Sequence, residues 1–489
     1  MNNILEKGEK NPYAFEIGSI KNLAIAGGKA LFIRHVCSFS INFLGGVILA
    51  RFLGPEILGL YFISYTVFVI FRQIVDFGGS IQIIRLPITP SLTEIKTTYT
   101  LQQIIGIIGC VVIIYFSPFI SNWYKHKELF PLLISAAIGG YFYSWQCVPL
   151  AQLERNMHYR KVGLIEVSEI FVFNLTAVIG TLIGMGTWGL ALGNICRGFL
   201  PALLSISLTG LWPSFIKDRQ KIFSQIVICS DVVGSHLVIW LVLLAPPVLV
   251  GFLAGAKELG IAQLSYNFLY TTMFISTIIQ RIGLSALAKL QDDKESFNNA
   301  IQQILQLLSV IYIPLVMIVS SFSPWWVPVI YGKEWSKMDE VILIGAMPIT
   351  ISALLLIFQS VFFSKGLASL VFKQNLVHAI LYWGVMALLV SSWGGVSVPI
   401  SHLIAMSAGY LFIKGYSKHC GELNYKPIVS GFTMGVLIMI LSWFLLREGD
   451  FWLPVVLWGA FLFFLFFTPF FQGKQMAMKM FNSLRKGTL

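Results

Sequence analysis

The chain has 489 residues, of which 56% are hydrophobic and only 11% are charged, and its formal net charge is +12. Ordinary soluble proteins contain about 25% charged residues, so this composition excludes a soluble globular protein and indicates a polytopic membrane protein. A net positive charge is also typical of nucleic-acid-binding proteins, so the distribution of the basic residues along the chain has to decide between the two classes.

Apolar windows of about 18 to 25 residues, each long enough to cross about 30 Å of hydrocarbon as a helix, recur from Lys29 to the C-terminus. The first twenty residues lack the short apolar core and cleavage site of a signal peptide, so we expect the first helix to remain as an anchor. The pattern predicts an all-α membrane protein with about fourteen transmembrane helices, at about 29–50, 58–79, 99–119, 129–150, 162–183, 187–210, 226–249, 259–281, 298–322, 339–363, 373–391, 396–417, 427–446 and 452–472.

The basic residues are distributed unevenly over the two sides of this arrangement. If both termini are cytoplasmic, most Lys and Arg residues lie on the cytoplasmic side or close to it. This asymmetry follows the positive-inside rule, so it predicts cytoplasmic termini and no nucleic-acid partner. The basic residues expected on the outer side are Arg51, Lys125, Lys127, Lys257, Lys333, Lys337 and Arg447.

Two short segments of the first half return in the second half. The stretch 54–60, GPEILGL, followed by Ser64-Tyr65, resembles the stretch 255–261, GAKELGI, followed by Ser265-Tyr266, and Phe116-Ser117-Pro118 resembles Phe322-Ser323-Pro324. An even number of helices per repeat predicts parallel repeats with a site between two halves. We therefore expect two pseudo-symmetric six-helix bundles, 1–210 and 226–420, a cytoplasmic linker, 211–225, and helices thirteen and fourteen with a cytoplasmic tail, 421–489.

Neither cysteine spacing nor glycine-rich loops indicate a cofactor. Six cysteines are present without a CxxC pair, and all but Cys420 fall within predicted helices. A disulfide framework, a metal site and redox chemistry are therefore not expected. Gly28-Lys29 lacks the other residues of a phosphate-binding loop, so we expect no ATP-driven pumping within this chain.

Arg34, Arg197 and Arg281 lie within stretches apolar enough to cross a bilayer. An arginine in lipid is costly and normally faces a polar cavity, so these residues predict a cationic cavity. Arg34 shares one helical face with Ser38 and Asn42, and Tyr270 and Thr277 form a similar stripe with Arg281. Other interpretations stay open: Arg281 can snorkel to the interface, Arg197 can bond a carbonyl, and Arg72 can pair with Asp76 four residues later.

Asp231, with Ser235 one turn later, begins the seventh helix and is the candidate for coupling to a proton or a sodium ion. An acid near a membrane entrance can equally pair with a basic residue, and the same two interpretations hold for Glu166 and Glu169. The remaining polar groups in the spans have simpler interpretations. We interpret His236, His378 and His402 as packed polar groups, and Trp335 as part of an aromatic belt or a sugar-stacking ring.

Three stretches carry a family resemblance: 48–61, ILARFLGPEILGLY; 152–160, QLERNMHYR; and 331–335, YGKEW. They resemble the bacterial polysaccharide-biosynthesis membrane proteins, the Wzx-type flippases of O-antigen and capsule repeat units within the multidrug/oligosaccharidyl-lipid/polysaccharide exporter superfamily. The resemblance implies two bundles that alternate between inward and outward openings in the bacterial inner membrane. It implies a cargo of undecaprenyl-pyrophosphate-linked oligosaccharide, moved from the cytoplasmic to the periplasmic leaflet. Membrane lipid and the polymerase and chain-length machinery are the implied partners.

This cargo fits the embedded arginines, because guanidinium forks donate paired hydrogen bonds to a pyrophosphate. In the resembled family helices one, two, seven and eight line the cavity, which favours Arg34 and Arg281 over Arg197. We expect a transporter and not an enzyme, since no large outer loop of a polysaccharide polymerase or ligase is present. The alternatives within the superfamily are a murein lipid II flippase and a multidrug or cation antiporter, the latter being expected to place acids in its cavity.

Overall fold

The computed structural model describes residues 17–85, 90–215, 222–223, 225–226, 237–287 and 294–467. Within these ranges the chain is helical and contains no β-strand. The all-α prediction is therefore confirmed. Its physical basis is that a helix satisfies its own backbone hydrogen bonds, which a spanning segment must do where lipid offers no partner.

Six helices make up the first part of the chain. Long uninterrupted apolar stretches form all of them except the short second helix. Their bounds are α1 Ile17–Asp76, α2 Gly79–Arg85, α3 Leu92–Tyr124, α4 Leu129–Arg155, α5 Tyr159–Leu182 and α6 Thr187–Thr209.

The second part is divided more finely by proline and by short non-α turns. The last turns of its first helix, Pro246–Ala254, are π-helical, as expected where two successive prolines remove backbone donors. The helices are α7 Leu237–Ala254, α8 Ala256–Leu287, α9 Lys294–Leu307, α10 Ile313–Ser321, α11 Ser323–Ile330, α12 Met338–Ser364, α13 Ala368–Trp393, α14 Ser397–Ala405, α15 Tyr410–His419, α16 Lys426–Arg447 and α17 Trp452–Phe467.

In the described part of the chain, 9 helical segments are long and apolar enough to cross a membrane. Two of them, Ile33–Asp76 with 44 residues and Ala368–His419 with 52 residues, are each long enough for two crossings of about 20 residues. Helices α4, α8 and α17 occupy the positions of the remaining predicted spans. This is the arrangement of about fourteen transmembrane helices that the hydropathy pattern predicts.

The connection between the first two predicted spans is shorter than the sequence suggests. The pattern predicts a loop over about 51–57, whereas α1 continues through this region with a single non-helical residue, Gly54, at φ 71° and ψ 174°. Glycine adopts this backbone without the Cβ penalty. Pro55 follows at the first position of the new helical segment, where its missing N–H costs no hydrogen bond.

The repeated segment has the same backbone in both copies. Gly255, which corresponds to Gly54, has φ 97° and ψ 162° and precedes α8. The two copies also contact each other reciprocally: a Cβ on Gly59 would lie 1.8 Å from the carbonyl oxygen of Ala256, and a Cβ on Gly260 would lie 1.9 Å from that of Pro55. Only glycine permits two backbones to approach this closely.

Two of the family-like stretches also contact each other. Arg51 donates from Nε to the carbonyl oxygen of Ile330 at 2.7 Å, at the end of α11. Trp335 donates from Nε1 to the carbonyl oxygen of Ala50 at 3.1 Å and is 1% exposed. The Trp335 ring therefore packs within the protein, so both sequence interpretations, an aromatic belt and a sugar-stacking ring, are wrong for this residue.

The chain divides into two compact units. The first comprises 1–46, 68–117 and 131–233, and the second comprises 47–67, 118–130 and 234–489. Buried aromatic rings lie in both cores, including Tyr99 in the first unit and Tyr312 and Tyr416 in the second. The division into bundles 1–210 and 226–420, linker 211–225 and appended segment 421–489 remains a prediction.

Candidate substrate-binding site

The predicted polar face of α1 lies against α5. Arg34 pairs with Glu166, and Asn42 accepts a hydrogen bond from Asn174 Nδ2 at 3.1 Å. Both pairs are separated by 132 residues, so α1 and α5 run parallel. The helices approach closely at Gly45, where a Cβ would lie 2.0 Å from Asn174 Oδ1.

The side chains on this face are only partly buried. Relative exposures are 27% for the Arg34 side chain and 33% for that of Glu166. Ser38 has intermediate exposure and Asn42 is exposed. The spacing therefore identified a real polar face, but the ion pair with Glu166 neutralises its single positive charge. A guanidinium has five N–H donors, so Arg34 has the capacity to bind an anion while it keeps or exchanges its carboxylate partner.

A second charged group lies deeper in the same unit. Glu169 Oε1 accepts from Arg72 Nη1 at 2.5 Å and from Arg197 Nη2 at 3.1 Å. The side chains of Glu169 and Arg197 are 9% and 8% exposed, whereas that of Arg72 is 24% exposed. Two guanidinium groups and one carboxylate leave this trio with one net positive charge.

Aromatic rings enclose the trio. The guanidinium carbon of Arg72 lies 3.9 Å from the ring centroid of Tyr143, and that of Arg197 lies 4.7 Å from Phe68 and 4.9 Å from Phe173. Ring faces attract cations electrostatically. They therefore stabilise the guanidinium groups where water has little access.

Close packing of α4 on α6 explains the depth of Arg197. A Cβ on Gly139 would lie 2.2 Å from the carbonyl oxygen of Asn194, and one on Gly198 would lie 2.2 Å from that of Gly139. The two backbones thus touch on both sides of Arg197, which is 7% exposed. Arg197 pairs with Glu169 inside the first unit. The sequence did not predict this partner.

Arg72 and Asp76, which the sequence placed together, also have partners on other helices. Arg72 pairs with Glu169 as described, while the Asp76 carboxylate accepts from the backbone N–H of Ser80 and from Gln102 Nε2, both at 3.2 Å. Asp76 thereby holds the connection between α1 and α2 against α3. A pair between Arg72 and Asp76 stays a prediction.

The candidate residues of the second half are described less completely. Tyr270 lies on α8 and is 49% exposed. Thr277 and Arg281 lie further along α8, but their side chains are outside the described residues, as is the whole of Asp231. The proposal that these groups and Arg34 line one cavity therefore stays a prediction.

Sequence reasoning missed a group of rings in the second unit. The group consists of four rings: His378 and Tyr382 on α13, His402 on α14 and Tyr266 on α8. The centroid of each ring lies within 6 Å of the centroid of at least one other ring in the group. The interpretation of His378 and His402 as packed polar groups overlooked one signal in the sequence. His378 and Tyr382 are four residues apart and therefore share a helical face.

No group of three or more His, Cys, Asp or Glu side chains that could hold a metal ion occurs in the described residues. Cys37, Cys110, Cys147 and Cys196 are free cysteines.

Known proteins resemble this chain both in sequence and in fold. The protein is similar to the lipopolysaccharide biosynthesis protein WzxC of Escherichia coli K12, with 22% identity over 79% of each chain. It is also similar to the teichuronic acid biosynthesis protein TuaB of Bacillus subtilis 168, with 23% identity over 59% of this chain and 60% of the relative.

The fold is similar to that of the lipid II flippase MurJ in an inward closed conformation, with a TM-score of 0.71 and 14% identity over 90% of this chain and 99% of MurJ. An inward-facing multidrug resistance transporter of the MATE family aligns with a TM-score of 0.55 and 13% identity over 83% of this chain and 98% of its own. The model of the family described as polysaccharide biosynthesis protein matches residues 48–340. These residues are more than half of the chain, and the protein therefore belongs to the polysaccharide biosynthesis protein family.

Proposed function

We propose that this protein is a flippase that moves an undecaprenyl-pyrophosphate-linked oligosaccharide, the repeat unit of an O-antigen, a capsule or an exopolysaccharide, from the cytoplasmic to the periplasmic leaflet. The observation that carries the proposal is the family match over residues 48–340 in a chain whose helices have the fold of a lipid-carrier flippase. Relatives named for lipopolysaccharide and teichuronic acid biosynthesis support this class of cargo.

The proposal includes location, mode of action and partners. The protein resides in the bacterial inner membrane with both termini in the cytoplasm, and it transports its cargo by alternating access without catalysing a reaction. Polysaccharide polymerase and chain-length machinery receive the flipped unit. Asp231 is retained as a candidate for proton or sodium coupling.

Within this function Arg34 is the proposed pyrophosphate ligand, and Glu166 is the counter-ion that the pyrophosphate displaces. Arg34 is partly exposed and shares its face with Ser38 and Asn42, whose polar groups suit sugar hydroxyls. Exchange of one anion for another keeps the Arg34 guanidinium paired throughout the cycle. Tyr270, Thr277 and Arg281 are the proposed contacts from α8, and Arg197 contributes by holding Glu169.

Replacement of Arg34 tests this assignment. Arg34→Lys keeps the charge but loses the planar fork, Arg34→Gln keeps only hydrogen-bonding capacity, and Arg34→Ala removes both. We expect repeat-unit polymer at the cell surface to fall in that order at unchanged membrane abundance, in a strain that lacks its own flippase. Lys373→Ala, which removes an exposed cation on α13, serves as the control. Full polymer output from Arg34→Ala at normal abundance would remove Arg34 from the site.

A second candidate function is the flipping of lipid II, which uses the same pyrophosphate carrier and is favoured by the MurJ fold. The two functions are separated by complementation. We expect the gene to restore surface polymer in a strain that lacks its own repeat-unit flippase, but not growth in a strain depleted of its lipid II flippase. Restoration of growth without polymer would favour lipid II as cargo.

A further inference from the structure

Two asparagines form an amide pair between α1 and α5, the helices that also carry Arg34 and Glu166. Asn174 Nδ2 on α5 donates to Asn42 Oδ1 on α1 at 3.1 Å. The same nitrogen donates to the carbonyl oxygen of Ile170, one turn earlier on α5, at 2.9 Å. An amide nitrogen carries two hydrogens, so these two bonds use the whole donor capacity of Asn174.

These two bonds also fix the orientation of the Asn42 amide. A backbone carbonyl oxygen only accepts hydrogen bonds, so the Asn174 atom that faces Ile170 has to be the nitrogen. Because this nitrogen also contacts Asn42, the Asn42 amide turns its oxygen toward Asn174 and its own nitrogen away. In the described part of the chain no protein group accepts a hydrogen bond from Asn42 Nδ2.

The two members of the pair differ in burial. Asn174 is 6% exposed, whereas Asn42 is exposed, and an exposed polar group in a membrane span normally faces a polar cavity. A second amide in the same unit has the environment expected of a purely structural contact. Asn194 Nδ2 donates to Ser135 Oγ at 3.3 Å, and these two residues are 0% and 2% exposed. Asn42 differs from both in presenting its two N–H donors on an open face.

A glycine on α1 makes room for the orienting amide. A Cβ on Gly45 would lie 2.0 Å from Asn174 Oδ1 and 2.6 Å from Asn174 Cγ, so any side chain at this position displaces the Asn174 amide. Nothing lies within 4 Å of a Cβ added to the next residue, Gly46. The absence of a side chain is therefore required at Gly45 and not at Gly46.

We propose that Asn42 recognises an oxygen of the oligosaccharide that only accepts hydrogen bonds, the carbonyl oxygen of an acetamido group or the carboxylate of a uronic acid, an inference that rests on the proposed transport function. Asn174 is the positioning residue that keeps the Asn42 donors turned toward this oxygen. Asn42 follows Arg34 by eight residues, which is about 12 Å along the helix axis. It therefore meets the sugar chain beyond the pyrophosphate that Arg34 is proposed to bind.

Asn42→Asp tests the proposal by changing one atom. One carboxylate oxygen still accepts from Asn174, while the other replaces the exposed nitrogen and turns a donor into an acceptor. A hydroxyl rotates to meet either, whereas a carbonyl or carboxylate oxygen does not. The probes are three farnesyl-pyrophosphate-linked disaccharides that differ only at the second sugar, which carries an acetamido group, a carboxylate or hydroxyls alone.

Binding is measured with full-length protein in phosphatidylethanolamine/phosphatidylglycerol vesicles. We expect Asn42→Asp to weaken binding of the acetamido or the carboxylate probe by about tenfold or more and to leave the hydroxyl probe unchanged. The probe that loses more affinity identifies the recognised group. Equal weakening of all three probes, or of none, would overturn the recognition role.

Matched variants separate recognition from a structural contact. Asn122→Asp makes the same chemical change at an exposed position of α3 and should leave all three affinities unchanged. Asn174→Leu and Gly45→Ala release the orientation of Asn42, so both should reduce the difference between probes, whereas Gly46→Ala should not. Asn42→Asp keeps its bond to Asn174 and should have the thermal unfolding midpoint of wild type, so the test stands even if Asn174→Leu fails to fold.

Surface polymer supplies an independent readout in a strain that lacks its own flippase. Asn42→Asp should lower the polymer made from repeat units that carry the recognised group at this sugar, and should not lower the polymer made from units with hydroxyls alone. Wild-type polymer from both kinds of unit in Asn42→Asp would overturn the inference alone. A wild-type protein that binds none of the probes and forms no polymer would overturn the proposed function and the inference with it.

Discussion

Glu169 compensates two guanidinium groups at once, the buried one of Arg197 and the partly buried one of Arg72. Its oxygen Oε1 accepts from both Arg72 and Arg197, and aromatic rings contact both guanidinium groups. Removing the charge of one member of a buried ion pair leaves the others uncompensated, which costs about 3–5 kcal/mol. The role of Glu169 is therefore structural in the first instance, in contrast to the partly exposed Glu166.

We predict that Glu169→Gln strongly destabilises the protein, by about 3–5 kcal/mol, while Glu166→Gln at the half-exposed Arg34 pair costs about 1 kcal/mol or less. The measurements are the thermal unfolding midpoint of the purified protein in detergent and its abundance in the membrane. Equal midpoints for Glu169→Gln and wild type would contradict the assignment of an essential counter-ion.

At the scale of single residues, the sequence located the polar groups better than it located their partners. The i, i+4, i+8 spacing of Arg34, Ser38 and Asn42 correctly predicted a common face, because helical periodicity is local. The pairing of Arg34 with Glu166 could not be predicted, because the partner of Arg34 depends on which helix packs against α1.

At the scale of the elements, the two copies of the repeated segment approach each other backbone to backbone. Gly59 and Gly260 each face a backbone carbonyl oxygen of the other copy, and a backbone atom cannot rotate away as a flexible side chain can. The similarity of the two segments in the sequence predicted the two copies. The reciprocal contact between them required coordinates.

We predict that Gly59→Ala and Gly260→Ala each destabilise the protein by about 1–3 kcal/mol through overpacking. Gly46→Ala on α1 is the matched control, because nothing lies within 4 Å of its added Cβ, and it should be neutral or stabilising by about 0.5–1 kcal/mol. Thermal unfolding midpoints and surface polymer would be compared for the three variants. Wild-type stability of Gly59→Ala would show that α1 and α8 pack less closely than described.

At the scale of the whole molecule, the distribution of charge predicts the orientation in the membrane. A reporter that is active only in the periplasm should be active when fused after Lys127, Lys257 or Lys333. The same reporter should be silent after Lys161, Lys221 or Lys418, and a cytoplasmic reporter at the same positions should give the opposite pattern. Periplasmic activity after Lys221 would invert the second half and exclude parallel repeats.

The sequence by itself determined the class of the protein, its helical architecture and the repeated segment, because hydropathy, proline and glycine act over one or two turns of chain. Only the tertiary structure decided the partners of the charged and polar side chains: Glu169 between Arg72 and Arg197, Glu166 beside Arg34, and His378 beside His402. These choices depend on which of many similar apolar faces pack together. Lipid-facing and helix-facing leucines, valines and phenylalanines look alike in sequence, so the distances between their polar neighbours are fixed only when the helices assemble.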